Sequence, residues 1–517
     1  MDISYFLRQP FEQASRFDPQ DAAICFEDDA PLSYAELTRR SLRYANALRN
    51  LDVKPGDRVG ILLYNRVEYW LAYFAVTRLG AIAVRLNFRL AAEELVYALT
   101  DSGSGLLLAE RDQLAKLEGV RQRTSVRCYV GFPSVENASD RLPDWAIDAD
   151  ILESGEEGEP DLERPKPEAP AMLMYTSGTT GRPKGALWAH GTTTWWAAMQ
   201  AMEWGLSRAT ITMITGPMYH IGGLENYALP TLAVGGRVVI LRSGNFGIRR
   251  TLEIASRQKV TDILLFPTMI YQMLEEDGIE GLDLSSIRRV FSGGDPLLPS
   301  AIVQMQERFG WMDIVQVYGL TEGTPIVACS GPGQCRTQPA SVGRAFPFAE
   351  ISIRDDANQP LSTGEVGEIW TRSPANALGY WNKPEATAET FVDGWCRTGD
   401  LGVVKDGALH IAGRKKDMVR SGRENIYPSE IEDLLLRHPA ISEAAVIGIP
   451  DPVFLEAVCA VVVPRPGAKI TDKEVISYCA DHLAGYKKPK RVIFVDNLPR
   501  TPSHKIVKAE LRERYRD

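Results

Sequence analysis

Residues 174–185 read Met-Tyr-Thr-Ser-Gly-Thr-Thr-Gly-Arg-Pro-Lys-Gly, a set of side chains suited to holding phosphate. The hydroxyls of Thr176, Ser177, Thr179 and Thr180 alternate with Gly178, Gly181 and Gly185. Glycines let successive backbone N–H groups turn toward one concave point, where anionic oxygens collect. Lys184 supplies a point charge and Arg182 a second cation. This is not a Walker loop, since no Ser or Thr follows Lys184. On composition alone, a surface turn rich in Ser, Thr and Gly fits as well.

An apolar run at 171–175 reads as a buried strand feeding that loop. Upstream, Ser33 and Glu36 form a capping-box signature for a helix with an apolar face at Leu37, Leu42, Tyr44, Ala45, Ala47 and Leu48. Residues 54–57 read as a turn, 58–63 as a strand, 67–79 as a helix stopped by Gly80, and 81–86 as another strand. Strand and helix in alternation predict a parallel sheet covered on both faces. Residues 153–170, rich in acid, Gly and Pro, read as a solvated connector. The aromatic residues of 188–204 favour core packing for most of their rings. The C-terminal part reads as an α+β unit, with helices at 428–436 and 472–482 and strands at 444–449, 457–463 and 492–495.

At 517 residues the chain is too long for one hydrophobic core and is expected to divide into at least two domains. It is 44% hydrophobic and 24% charged, an ordinary globular balance. A net charge of −9 without a dominant basic segment argues against nucleic acid as a main partner. Six histidines and seven scattered cysteines give no close metal-ligand spacing, and the odd cysteine count suits a reducing compartment. Residues 1–20 contain Asp2, Glu12 and Asp18 and no sustained apolar run, so no signal peptide is evident. The apolar stretch 70–84 is interrupted by Arg78 and too short to span a bilayer. A cytoplasmic chain is expected.

Further short motifs follow in order: Gly216-Pro217-Met218-Tyr219-His220-Ile221-Gly222-Gly223, Ser292-Gly293-Gly294-Asp295, Tyr318-Gly319-Leu320-Thr321-Glu322, Arg397-Thr398-Gly399-Asp400, Gly413-Arg414-Lys415-Lys416-Asp417 and, near the end, Ser503-His504-Lys505. A lone histidine among apolar residues is more often structural than catalytic. Together with the 174–185 loop, these motifs resemble, in kind and order, those of the adenylate-forming superfamily of acyl-CoA synthetases, luciferases and peptide-synthetase adenylation domains. The resemblance runs from about residue 32 to residue 507.

The resemblance implies an α/β fold: a large, multi-sheet N-terminal domain (1–413) with a small, mobile α+β C-terminal domain (414–517) pivoting at Lys416. It implies an acyl-CoA ligase, in which ATP and a carboxylic acid form an acyl-adenylate and CoA then takes the acyl group; a separate carrier protein is the alternative acceptor. Thr176, Ser177, Gly178, Thr179, Thr180, Gly181 and Lys184 would hold the ATP phosphates. Gly293, Gly294, Tyr318 and Gly319 would lie against adenine, where Tyr318 offers a flat ring face. Thr321 would reach the α-phosphate, and Glu322 would offer Mg²⁺ a hard oxygen. Asp400 would accept from the ribose hydroxyls, near Arg414. Tyr219, His220, Gly222, Gly223 and Thr324, with Gly293 and Gly319, would line the acid pocket, with His220 also counted as catalytic. Lys505 would be the catalytic lysine, bridging carboxylate and α-phosphate. Gly422, Arg423 and Glu424 would line the CoA tunnel.

Amino-acid-activating members of the superfamily carry an Asp near this loop, and no acidic residue lies between Gly216 and Leu224, so the resemblance disfavours an amino-acid substrate. Arg423 stands where relatives usually carry Gly, and His504 replaces the Gly that normally precedes the lysine. These departures raise the expectation that one half-reaction is impaired.

Overall fold

The computed structural model describes residues 1–12, 17–135, 141–176, 182–244, 246–295, 297–421, 424–500 and 506–516. The chain forms two compact units. The first comprises Met1–Pro339, Gly343–Ile351 and Thr371–Arg397, and the second Ala340–Val342, Ser352–Trp370 and Thr398–Asp517. The expected seam at Gly413–Asp417 lies inside the second unit, because the strands Trp395–Lys405 and Ala408–Arg414 pair, with Asp400 opposite Arg414.

Two sheets build the first unit. In one, the strands Ala22–Phe26, Arg237–Ile240, Ile211–Ile214, Asp262–Leu264, Arg289–Gly293 and Asp313–Tyr318 run parallel as neighbours in that order. Their interiors are near-continuous Val, Ile, Leu and Met, as strands covered on both faces require. In the other, Pro170–Thr176, Ile82–Arg85, Arg58–Leu62, Leu106–Glu110, Cys128–Phe132 and Ile147–Asp148 are parallel neighbours. Lys184–Ala189 returns antiparallel beside Pro170–Thr176, and Gly379–Tyr380 pairs next to it.

Local chemistry sets these elements much as the sequence predicts. Ser33 caps the helix Tyr34–Asn50 by accepting from the Glu36 N–H at 3.2 Å, while the Glu36 carboxylate turns to Arg39. The helix Val67–Arg78 ends before Gly80, whose φ of +69° suits glycine. Trp188, Trp196 and Trp204 are buried as expected, the last against Tyr227, Phe291 and Phe346. Trp195 is the exception, 47% exposed beside Phe348.

The connector is largely exposed, as predicted, and is in addition tethered to a helix. Glu153 accepts from Arg40, Glu157 accepts from Arg39 and Arg43, and Asn46 donates to the carbonyls of Glu156 and Gly158. Gly155 lies so close that an added Cβ would meet the Arg43 carbonyl at 2.0 Å. The acid-rich composition is thus complementary to an arginine-bearing helix face.

In the second unit, the long hairpin strands Ile441–Asp451 and Leu455–Pro464 join Val419–Ser421, Glu424–Ile426 and Arg491–Phe494 in one sheet. The helices Pro428–Leu435 and Asp472–His482 pack on it through Ile431, Leu434, Leu435, Val475 and Cys479. Among the described residues, no helix is long and apolar enough to cross a membrane.

Candidate active site

Thr176 closes the strand Pro170–Thr176 at the mouth of the glycine-rich loop, directly opposite Lys184. Its hydroxyl donates to Glu322 Oε1 at 2.7 Å, although 146 residues separate the two in sequence. The Tyr380 hydroxyl donates to the same oxygen at 3.2 Å. The Lys184 ammonium stands over the Tyr380 ring, 5.0 Å from its centroid. The backbone fixes this corner: Ala377 N–H donates to the Glu322 carbonyl at 3.0 Å, and Trp188 Nε1 donates to the Thr321 carbonyl at 3.0 Å. Burial and the facing Glu322 carboxylate raise the Tyr380 hydroxyl above its ordinary pKa, so it remains a donor. Four sequence-predicted residues, Thr176, Lys184, Thr321 and Glu322, therefore meet at one corner. Tyr380 joins them unforeseen, since only the fold brings its strand alongside Lys184–Ala189.

Among the described residues, no group of three or more His, Cys, Asp or Glu side chains is placed to hold a metal. One carboxylate with a neighbouring hydroxyl still fits Mg²⁺, which commonly takes one or two protein carboxylates and completes its shell with phosphate and water.

The carboxyl ends of four adjacent parallel strands form the second part. Ile211–Ile214 leads to Gly216, Asp262–Leu264 to Phe266, Arg289–Gly293 to Gly294 and Asp313–Tyr318 to Gly319. Ligands of open α/β sheets bind at such an edge. The Phe266 ring lies 3.1 Å from where a Cβ on Gly216 would sit and 3.7 Å from one on Gly294. Gly294 has φ +88°, a backbone that only glycine adopts without strain. Gly293 and Gly319 are required by the protein itself: a Cβ on them would meet the Val317 side chain at 2.4 Å and the Pro325 carbonyl at 2.3 Å. The Thr324 hydroxyl is buried with Ser373 Oγ at 2.5 Å and Asn376 Oδ1 at 3.2 Å. Tyr318 is half-buried at its strand end.

In the loop 216–223, His220 is exposed, and its Nδ1 accepts from the Gly222 N–H at 3.2 Å. Tyr219 points the other way, 8% exposed, its ring edge-on to Phe88 at 5.2 Å. Burial raises the Tyr219 hydroxyl pKa. Asn65 fixes the loop's start: its amide donates to the Gly216 carbonyl at 2.9 Å and accepts from the Met218 N–H at 2.8 Å. Glu225, just past the stretch without acids, is fully buried against Arg85.

Within the second unit, Arg414 Nε lies 3.5 Å from Asp400 Oδ1 across the strand pair. Lys416 sits in the short turn Lys415–Asp417, anchored on either side by Lys415 with Glu368 at 3.0 Å and Asp417 with Arg512 at 2.6 Å. Burial lowers the Lys416 pKa. Glu424 is exposed at the start of the strand Glu424–Ile426. Ser177, Gly178, Thr179, Thr180, Gly181, Gly422, Arg423, His504 and Lys505 lie outside the described residues.

Residues 11–381 match the AMP-binding enzyme family, and residues 430–505 match the AMP-binding enzyme C-terminal domain. The chain belongs to the AMP-binding enzyme family. It is similar to a feruloyl-CoA synthase of Amycolatopsis sp, 36% identical over 502 residues that cover 97% of each chain. It is also similar to the indoleacetate–CoA ligase of Aromatoleum aromaticum, 35% identical over 508 residues covering 98% of each. Among solved structures, an anthranilate CoA ligase in complex with anthranoyl-AMP superposes with a TM-score of 0.89 at 28% identity, covering 99% of this chain and 97% of that one. The chain is thus an adenylate-forming enzyme, an acid–thiol ligase of the acyl-CoA ligase group.

Proposed function

We propose that this AMP-binding enzyme activates a hydrophobic monocarboxylic acid (aromatic, aliphatic or polycyclic) with ATP and transfers the acyl group to CoA. The carboxylate oxygen attacks the α-phosphorus and pyrophosphate leaves, giving the acyl-adenylate. The CoA thiol, losing its proton, then attacks the carbonyl carbon and AMP leaves. The observation that carries the reading is the Glu322 carboxylate, held by two neutral hydroxyls at 2.7 and 3.2 Å beside Lys184. Neutral donors orient it without cancelling its charge, so it is ready to hold Mg²⁺ against ATP. Mg²⁺ would neutralise charge on the departing pyrophosphate. Lys184 and the loop hydroxyls would hold the phosphates, and Thr321 the α-phosphate.

The acid class is supported by Met218, Tyr219, Ile221 and Leu224, all buried in the loop that His220 and Gly222-Gly223 complete. The aryl-acid substrates named for the similar enzymes point the same way. Asp400 and Arg414 would take the ribose, and Lys505 would bridge carboxylate and α-phosphate in the first step. Rotation about Lys416 would then withdraw Lys505 and bring Gly422, Arg423 and Glu424 to CoA, since one site hosts two steps only if its lid takes two positions. A carrier protein is the alternative acceptor, favoured if Arg423 obstructs the pantetheine path. The test is pyrophosphate release across a panel of acids, with and without CoA. Release should require the acid and Mg²⁺, favour hydrophobic acids over acetate and amino acids, and be followed by thioester formation. A preference for acetate over every larger acid would overturn the substrate class.

A further inference from the structure

Arg85 ends the strand Ile82–Arg85, paired across from Met174 of the strand that feeds the phosphate loop. Its side chain and that of Glu225 are both 0% exposed. Nη1 donates to Glu225 Oε2. Nη2 donates to the Met218 carbonyl and, at 2.9 Å, to the His220 carbonyl. Nε completes the set, donating to the Tyr69 hydroxyl at 3.3 Å. One rigid planar cation thus joins the second sheet of the first unit to the loop that leaves the other sheet.

Such an arrangement is not explained by stability. A buried ion pair barely offsets the desolvation of its members, and an apolar pair of like volume would hold the fold as well. Direction is what the guanidinium supplies, because its donors form a fixed fork. The two carbonyls it holds belong to residues on either side of Tyr219. With both turned toward Arg85, Tyr219 packs inward on Phe88 and His220 faces outward, where its Nδ1 meets the Gly222 N–H. Glu225 balances the charge through Oε2, with the Tyr73 hydroxyl also beside its carboxylate. Its backbone is tied down by Gln200, which donates to the Glu225 carbonyl at 2.8 Å.

We infer that Arg85, charge-balanced by Glu225, is a positioning residue for the carboxylic acid: it holds the Met218 and His220 carbonyls so that His220 and Gly222-Gly223 face the acid. This rests on the proposed acid activation and names what shapes its acid side.

The experiment compares Arg85→Met, Glu225→Gln and the double variant with the parent enzyme, reading KM for the acid, KM for ATP, Tm and amide hydrogen exchange. Arg85→Met should raise KM for the acid by about tenfold or more while KM for ATP stays within about twofold. It should also lower Tm, because Glu225 is left buried without its cation. The double variant should regain most of that Tm but not the acid KM, and the amides of 217–224 should exchange faster than in the parent. Arg85→Lys, with a point charge instead of a fork, should fall between parent and Arg85→Met in acid KM. Recovery of acid KM together with Tm in the double variant would reduce the pair to a structural one and overturn the inference, as would unchanged exchange at 217–224. If the parent releases pyrophosphate with no acid at all, the proposed function falls, while the exchange comparison still decides the role of Arg85.

Discussion

Glu225 and Glu322 are two carboxylates of the same unit with opposite circumstances. Glu225 is fully buried and faces a guanidinium, so its charge is answered within the protein. Glu322 is half-buried and, among the described residues, accepts from the hydroxyls of Thr176 and Tyr380, so its charge is open to a ligand. Glu110 stands between them. It is fully buried, accepts from the N–H groups of Tyr64 and Val135 at 3.1 and 2.8 Å, and has Arg66 only at 3.4 Å. What separates a structural carboxylate from a chemical one is the formal charge of its partner, not its burial alone.

The largest effect tests the same division among cations, with Arg85 engaged inside the protein and Lys505 proposed to act on the substrates. Lys505→Ala should lower acid-dependent pyrophosphate release by about 100-fold or more while leaving thioester formation from preformed acyl-adenylate largely intact. Equal loss of both steps in single-turnover assays would remove the assignment. Next, Glu322→Gln should raise the Mg²⁺ concentration needed for half-maximal rate by about tenfold with little change in Tm. Glu225→Gln should do the reverse, lowering Tm and leaving the Mg²⁺ titration unchanged. If the two variants behave alike, the contrast between these carboxylates is broken.

The two departures from family pattern offer a smaller effect. His504→Gly should alter pyrophosphate release alone, and Arg423→Gly thioester formation alone. A tenfold gain in either rate would correspond to about 1.4 kcal/mol of barrier. Parent-like kinetics in both steps for both variants would mark the departures as neutral.

The smallest effect sharpens the middle case. Burial raises the Glu110 pKa from 4.5 to about 7, with Arg66 opposing. The folded state then holds a proton that the unfolded state gives up, so this group's contribution is full below 4.5 and lost as pH rises through 7. Tm measured from pH 8 down to pH 6 should therefore rise slightly more in the parent than in Glu110→Gln, pH values chosen to bracket the upper pKa of about 7.

The fold class, and the motifs whose residues Thr176, Lys184, Thr321 and Glu322 meet at one corner, were legible because each is local. An apolar run marks the strand Pro170–Thr176, and the glycine loop after it suggests phosphate chemistry. Arg85 and Glu225 were not legible, being 140 residues apart and embedded in no pattern. Tyr380 and Asn65 were missed for the same reason: each acts on a partner that only sheet topology brings near. The connector is exposed as its composition suggested, but its ties to the helix Tyr34–Asn50 went unread, because acid-rich composition carries no sign of the arginines that meet it.

That connector has a consequence for the entropy of the chain. Between the strands Ile147–Asp148 and Pro170–Thr176, a long irregular segment would ordinarily lose much conformational freedom on folding. Ties at Glu153, Glu156, Glu157 and Gly158 pin its first part, shortening the loop that remains to be closed. Each ion pair is weak alone at a partly exposed surface, but they share one helix, Tyr34–Asn50, and so part or hold together. The segment is a stitched seam, and added salt, which screens the arginine–glutamate stitches together but not those of Asn46, should loosen the stretch of chain leading to the glycine-rich loop.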